Sequence, residues 1–214
     1  MLAPAAFISD MVQEGVLQFG EFTLKSGLES PYFFNLGKIS SGPALNKLGY
    51  VYAKRIAELN LKPDVLFGPA YKGIPIATAT AMSLSSMGID VEIAFDRKEA
   101  KSHGERGNVV GASMDAKRIL VVDDVVTDGA SKVEAFEMIR ANAGNPIAVL
   151  IALDRKERAG TGEETMLEAL EKKLESPVYS VATLGDILSY LDFSDMDREL
   201  DTVNSYADKH CIVE

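Results

Sequence analysis

The chain has 214 residues, of which 47% are hydrophobic and 25% are charged, and its formal net charge is −10 at pH 7. This length fits one globular domain, with or without a subdomain, and the composition excludes a disordered chain. The negative charge argues against general nucleic-acid binding, because that affinity comes mainly from Lys and Arg side chains that neutralise phosphates.

The sequence also argues against a membrane or secreted protein. No segment approaches the ~18 consecutive apolar residues of a membrane span. The apolar first residues lack a basic region and soon reach Asp10, which is not typical of a secretory signal. Cys211 is the only cysteine, which excludes an intramolecular disulfide and a cysteine-based metal cluster. We therefore expect a cytosolic protein.

The elements of the first 60 residues differ from those that follow. A first helix-like stretch precedes residues 17–36, whose Phe, Thr and Gly content predicts short strands and turns. A helix is predicted at about 43–59, because apolar residues there recur at helical spacing. We find no repeat and no linker long enough to divide the chain, so we expect one domain over residues 1–214.

After Pro63, short apolar runs alternate with helical stretches. The runs are at 65–67, 91–95, 119–122, 147–152 and 178–181, and the helices are expected at about 74–87, 131–142, 164–175, 184–191 and 196–209. This alternation predicts an α/β core over about 61–214, with a central parallel sheet flanked by helices. Ligands of such sheets bind beyond the carboxyl ends of the strands.

The segment 123–131 leads from the third of these strands into a turn and then a helix that starts near Ser131. A helix N-terminus with unpaired N–H groups can bind a phosphate, and Thr127 can add a hydroxyl donor. Asp123 and Asp124 are expected to point to opposite faces of the strand and to serve separate tasks. The alternative is an ordinary strand end with a helix cap.

A basic cluster stands out in this acidic chain. Residues 97–106 contain four of the 22 Lys and Arg residues and one of the two His residues. Lys98, Lys101 and His103 are suited to neutralise an anionic group, and the glycines nearby predict a mobile loop over 97–111 that closes over substrate. The alternative is a solvated charged hairpin in which Glu99 and Glu105 are the partners.

Two further segments follow predicted strands. Gly68, Pro69 and Gly73 shape a tight loop whose N–H groups can meet an anion, although an ordinary turn with an exposed Lys72 is the alternative. Arg155 offers a planar fork suited to a carboxylate or ring oxygens, and its alternative is a surface ion pair within residues 155–158.

These motifs resemble the orotate phosphoribosyltransferase family of type I phosphoribosyltransferases. The resemblance rests on 123–131 and, in the same order along the chain, on the segments 24–43, 67–77, 95–112 and 153–158. It implies the type I phosphoribosyltransferase fold with a small N-terminal hood over about 1–60. It also implies the transfer of phosphoribosyl from phosphoribosyl pyrophosphate to orotate, which gives orotidine 5′-monophosphate and pyrophosphate in pyrimidine synthesis.

The resemblance also implies site residues. Those expected to bind phosphoribosyl pyrophosphate are Lys25, Tyr71, Lys72, Arg97, Lys98, Lys101, His103, Asp123, Asp124, Val125, Val126, Thr127, Asp128, Gly129, Ala130 and Ser131. Those expected to bind orotate are Phe33, Phe34, Thr127 and Arg155. Catalytic roles are implied for Lys98, Lys101, His103 and Asp124.

Magnesium is the expected cofactor, held mainly by substrate oxygens, with Asp124 as a possible contact through water. A homodimer is also expected, in which loop 97–107 reaches the partner's active site. Asp128 and Ala130 depart from the family pattern, which has a small residue and Thr there, and Arg106 stands where Gly is common. Because the phosphate-binding parts are shared, a purine phosphoribosyltransferase and a non-catalytic regulator that senses nucleotides remain alternatives.

Overall fold

The computed structural model describes residues 4–97, 108–160 and 162–213. The helices in this part of the chain are α1 Pro4–Gln13, α2 Gly42–Glu58, α3 Gly73–Ser86, α4 Ala130–Ala141, α5 Met166–Leu174, α6 Leu184–Phe193 and α7 Asp197–His210. The strands are β1 Leu17–Thr23, β2 Glu29–Phe34, β3 Val65–Phe67, β4 Glu92–Asp96, β5 Val109–Gly111, β6 Arg118–Val125, β7 Asn145–Asp154 and β8 Val178–Thr183.

Six of these strands form the central sheet, in the order β5-β4-β3-β6-β7-β8. The neighbouring pairs from β4 to β8 are parallel, and only β5 is antiparallel, to β4. All five predicted apolar runs lie in the parallel strands, and helices follow four of the five, so the predicted α/β fold is confirmed. Because parallel strands run in one direction, their carboxyl ends lie along a single edge of the sheet.

Strand β5 was not predicted, and it shortens the predicted loop 97–111. Val110 pairs with Phe95 and Gly111 pairs with Ala94, so the chain has rejoined the sheet by Val109. Gly111 has a φ of +102°, and a Cβ there would lie 2.3 Å from the Ile93 carbonyl oxygen. Glycine is therefore required where this short strand meets β4.

The core occupies both faces of the sheet. Along β6, Leu120 and Val122 belong to one apolar cluster, whereas Ile119 and Val121 belong to a second cluster. This alternation follows from the period of two along a strand, and burial on both faces explains the continuous apolar runs. The first cluster also contains residues of the N-terminal part, including Phe7 of α1. The first 60 residues therefore share a hydrophobic core with the main sheet.

A separate antiparallel hairpin, β1–β2, lies outside the main sheet. Its inner face joins the core through Tyr32 and Phe34, and it also contacts α7. None of the helices in the described ranges is both long and apolar enough to cross a membrane.

Candidate functional site at the carboxyl edge of the sheet

Three adjacent strands end side by side, and each is followed by a segment that the sequence singled out. The loop 68–72 follows β3, the turn 126–129 follows β6, and residues 155–158 follow β7. Two of these segments lead directly into the N-termini of α3 and α4. The positive ends of two helix dipoles therefore face the same edge, which is suited to bind a polyanion.

The loop 68–72 is held tightly by its glycines. A Cβ on Gly68 would lie 2.2 Å from the carbonyl oxygen of Gly73, so the two ends of the loop touch. The backbone N–H of Ala70 donates to the Asp96 carboxylate, at 2.5 Å, which links the loop to the end of β4. Tyr71 is 73% exposed, and Lys72 extends towards the neighbouring strand end.

Asp123 and Asp124 make separate contacts, as predicted. The Asp124 carboxylate lies 2.6 Å from Lys72 Nζ and also accepts the N–H of Val125, at 2.7 Å. The Asp123 carboxylate lies 2.5 Å from Lys132 Nζ on α4. Lys72 therefore joins the loops after β3 and β6, whereas the Asp123 pair joins β6 to the helix that follows it.

Lys132 is a site residue that sequence reasoning missed. Its side chain is only 4% exposed, and it donates to the Val125 carbonyl, at 2.7 Å, as well as to Asp123. The available signal was its spacing, because Ala135, Phe136 and Ile139 continue the same buried stripe of α4. Burial raises the pKa of Asp123, and the positive charge of Lys132 opposes this effect.

The turn 127–129 presents the start of α4. The helix begins at Ala130, one residue before the predicted start, and Gly129 has a φ of +73° that favours glycine. Thr127 and Asp128 are exposed, whereas Ser131, Val125 and Val126 are partly buried. The Asp128 carboxylate accepts the N–H of Ala130, at 3.0 Å, so it occupies a donor that a phosphate would use.

Arg155 is buried, and the predicted alternative of a surface ion pair is wrong about its environment. Its Nε donates to Glu157 at 2.7 Å, although its side chain is only 9% exposed. Its Nη2 donates to Ser30 Oγ on β2 at 3.0 Å, and its guanidinium lies 4.1 Å from the centre of the Tyr32 ring. Arg155 therefore connects the end of β7 to the hairpin.

The other predicted residues of the hairpin occupy different environments. Phe34 is buried in the core, whereas Phe33 is partly buried and stacks on Phe22 with ring centres 5.5 Å apart. The side chains of Phe33 and Phe34 therefore cannot contribute equally to one binding surface. Lys25 is exposed in the turn between the two strands, which is closed by a hydrogen bond from Leu24 N–H to Leu28 O at 2.9 Å.

The base of the predicted loop lies beside this edge. Arg97 follows β4, and its N–H donates to the Asn108 carbonyl at 2.8 Å, which closes the segment between them. The predicted residues Lys98, Lys101 and His103 lie outside the described residues. The fixed end of the loop adjoins Asp96, which also holds the loop after β3.

Within the ranges 4–97, 108–160 and 162–213, no group of three or more His, Cys, Asp or Glu side chains is placed to hold a metal ion. Mg²⁺ binds proteins through one or two carboxylates together with substrate phosphates and water. Asp124, beside the two phosphate-type loops, fits that limited role.

Comparisons with known proteins identify the family and the fold. The chain matches the phosphoribosyl transferase domain over residues 37–177. It is 47% identical over 205 residues to the orotate phosphoribosyltransferase of Marinobacter nauticus, with 95% of this chain and 96% of that protein covered. It is 48% identical over 202 residues to that of Halorhodospira halophila, with 94% of each covered. The crystal structure of the Francisella tularensis orotate phosphoribosyltransferase has a TM-score of 0.86 at 36% identity, covering 97% of this chain and 100% of that one.

Proposed function

This chain belongs to the orotate phosphoribosyltransferase family, and we propose that it transfers phosphoribosyl from phosphoribosyl pyrophosphate to orotate in pyrimidine synthesis. The bond from C1 of the ribose to the pyrophosphate oxygen breaks, and its electron pair leaves with pyrophosphate. A bond from C1 to the acidic ring nitrogen of orotate forms in its place, and the proton of that nitrogen is released to solvent. The product is orotidine 5′-monophosphate.

The observation that carries this proposal is the order of the three strand ends. The loop after β3 offers N–H groups and Lys72 to pyrophosphate, and the turn after β6 offers the start of α4 to the 5′-phosphate. Arg155 after β7 contacts Ser30 and Tyr32 of the hairpin, and we assign the flat base to this side of the edge. The middle position leaves Asp123 and Asp124 for separate tasks, one at the ribose hydroxyls and the other at a water or a metal ion.

Charge stabilisation and positioning provide the catalysis in this proposal. The departing pyrophosphate gains negative charge, and fixed cations aimed at such charge are usually the largest catalytic contribution. Among the described residues, Lys72 is available to stabilise this charge. Lys98, Lys101 and His103 are expected to do so from the loop. Orotate already presents an acidic nitrogen, so no protein side chain needs to act as a general base.

Magnesium fits this arrangement as a substrate-bound ion. Bound to pyrophosphate and ribose oxygens, it would neutralise part of the charge on the leaving group. Asp124 lies at the end of β6 and pairs with Lys72 of the loop after β3, and it would contact the ion through water. In the described structure its carboxylate is paired with Lys72, so Asp124 would exchange this partner on binding a magnesium-substrate complex.

We also propose a cytoplasmic homodimer in which loop 97–107 completes the partner's site. Lys101→Ala would inactivate the contribution of the loop, and Asp124→Asn would inactivate the contribution of the sheet edge. Mixed after subunit exchange, the two inactive variants should regain part of the activity, because one site in a mixed dimer receives both intact elements. If exchange is demonstrated and no activity returns, the shared site is refuted.

The loss of orotate ultraviolet absorbance tests the reaction directly. It should require both phosphoribosyl pyrophosphate and Mg²⁺, and it should stop when Mg²⁺ is chelated. Turnover of hypoxanthine, guanine or adenine in place of orotate would instead identify a purine phosphoribosyltransferase. Binding of phosphoribosyl pyrophosphate without turnover of any base would identify a regulator.

A further inference from the structure

Arg155 is held by a buried network that reaches the C-terminal helix. Its guanidinium lies over the ring of Tyr32, and two of its nitrogens donate hydrogen bonds, one to Glu157 and one to Ser30. Ser30 Oγ in turn donates to the Tyr32 carbonyl, at 2.8 Å. These contacts fix both the plane of the guanidinium and its rotation in that plane, because they restrain one face and two edges.

The same oxygen of Glu157 has a second donor. Tyr206 of α7 donates its hydroxyl to Glu157 Oε1 at 2.6 Å, and this is the oxygen that accepts from Arg155. The chain after α7 also joins the segment after β7, since Ile212 N–H donates to the Lys156 carbonyl at 2.9 Å and Cys211 forms a β-bridge with Glu157. The C-terminal helix and tail therefore hold Glu157 by its side chain and its backbone.

We propose that Glu157 and Tyr206 are positioning residues that orient Arg155 towards orotate. This inference rests on the proposed function, in which Arg155 binds the base. A segment that follows a strand is mobile unless other contacts restrain it, and a binding fork is effective only when its own rotamer is held. Glu157 restrains Arg155, and Tyr206 restrains Glu157, so α7 acts on base binding without touching the substrate.

Tyr206→Phe tests this role with the smallest change, because it removes one hydroxyl and keeps the ring that packs on Tyr32. Tyr190→Phe on α6 is the matched control, since Tyr190 is a partly buried tyrosine outside this network. We expect Tyr206→Phe to raise the KM for orotate about tenfold, equivalent to about 1.4 kcal/mol. The KM for phosphoribosyl pyrophosphate should change less than twofold, and the Tm should match that of the control.

Substitutions of Glu157 provide the second measurement. Glu157→Gln keeps an acceptor for both donors, so its KM for orotate should lie between those of the wild type and Glu157→Ala. The inference is overturned if Tyr206→Phe leaves the KM for orotate at the control value. It is also overturned if both substrate KM values rise in proportion while the Tm falls, since that pattern indicates general loosening. If the wild type turns over another base, the proposed function fails. The KM of Tyr206→Phe for that base, compared with the control, then tests the positioning role.

Discussion

Replacing Lys132 by Met should destabilise the protein strongly, because it leaves the Asp123 carboxylate buried without its cation. The two groups lie 2.5 Å apart, and their side chains are 4% and 9% exposed. Breaking a buried pair by removing one partner costs roughly 3–5 kcal/mol of unfolding free energy. Since 1 kcal/mol shifts the Tm of a domain of this size by about 2–4 °C, the expected fall is roughly 6–20 °C.

The loss of stability in Lys132→Met should depend on pH, and the pKa of Asp123 determines in which direction. Burial raises the folded-state pKa of Asp123 above its unfolded value, although Lys132 opposes the rise. Between those two values the folded protein binds more protons than the unfolded chain, so its stability falls as the pH rises. Without Lys132, the folded-state pKa of Asp123 rises further, so this pH range extends to higher pH. The Tm deficit of Lys132→Met should therefore be smaller at pH 5.5 than at pH 8.

Thermal unfolding by circular dichroism at both pH values provides the test, with Lys172→Met as the matched control. Lys172 also forms an ion pair, with Glu164, but its side chain is 74% exposed, so its loss should leave the Tm unchanged. Adding Asp123→Asn to Lys132→Met should recover part of the lost stability at pH 8, because the uncompensated charge is removed. Equal Tm deficits at the two pH values, or no recovery in the double variant, would refute the reasoning.

Three further outcomes are expected. Cys211 is 3% exposed and burial raises its pKa to about 12, so at pH 8 Ellman's reagent should react with the unfolded chain and not with the native protein. Gly68→Ala should raise the KM for phosphoribosyl pyrophosphate by roughly 10–100-fold, because its Cβ would lie 2.2 Å from the opposite end of the loop. Gly42→Ala, where a Cβ has no neighbour within 4 Å, should leave that KM unchanged. Asp128→Ala should lower the KM for phosphoribosyl pyrophosphate by roughly fivefold, because a carboxylate that repels phosphate is removed from the start of α4. An unchanged KM would show that Asp128 turns away from the bound substrate.

The strands of the core could be predicted because each is buried on both faces and is therefore a continuous apolar run. Strand β5 could not, since three residues that end in a glycine carry no periodic signal. Its existence depends on pairing with β4, which is a tertiary contact. The opposite directions of Asp123 and Asp124 were predictable from strand geometry alone, because neighbouring residues of a strand alternate between its faces.

The partners of the site residues could be predicted less well. The sequence indicated Arg155 as a planar cation near a strand end, but its burial depends on Ser30 and Tyr32, about 125 residues earlier in the chain. Lys132 was missed because a lysine on a helix is usually solvated, and only its place on the apolar stripe of α4 indicated otherwise. The Arg155 contacts depend on the distant hairpin, and the Lys132–Asp123 pair depends on how α4 packs against β6.

Three ion pairs help to hold the carboxyl edge of the sheet together, and they do so in a similar way. Lys72 with Asp124, Lys132 with Asp123 and Arg155 with Glu157 each hold a segment that follows a strand of the sheet. The Lys132–Asp123 and Arg155–Glu157 pairs are largely buried, and such pairs are rarely the most stable solution, because desolvation offsets much of their attraction. A strand end filled with apolar residues would be at least as stable but would offer no charge to a phosphate, a ribose hydroxyl or a carboxylate. The polar edge is therefore best explained by ligand binding, with the apolar core supplying the stability that it lacks.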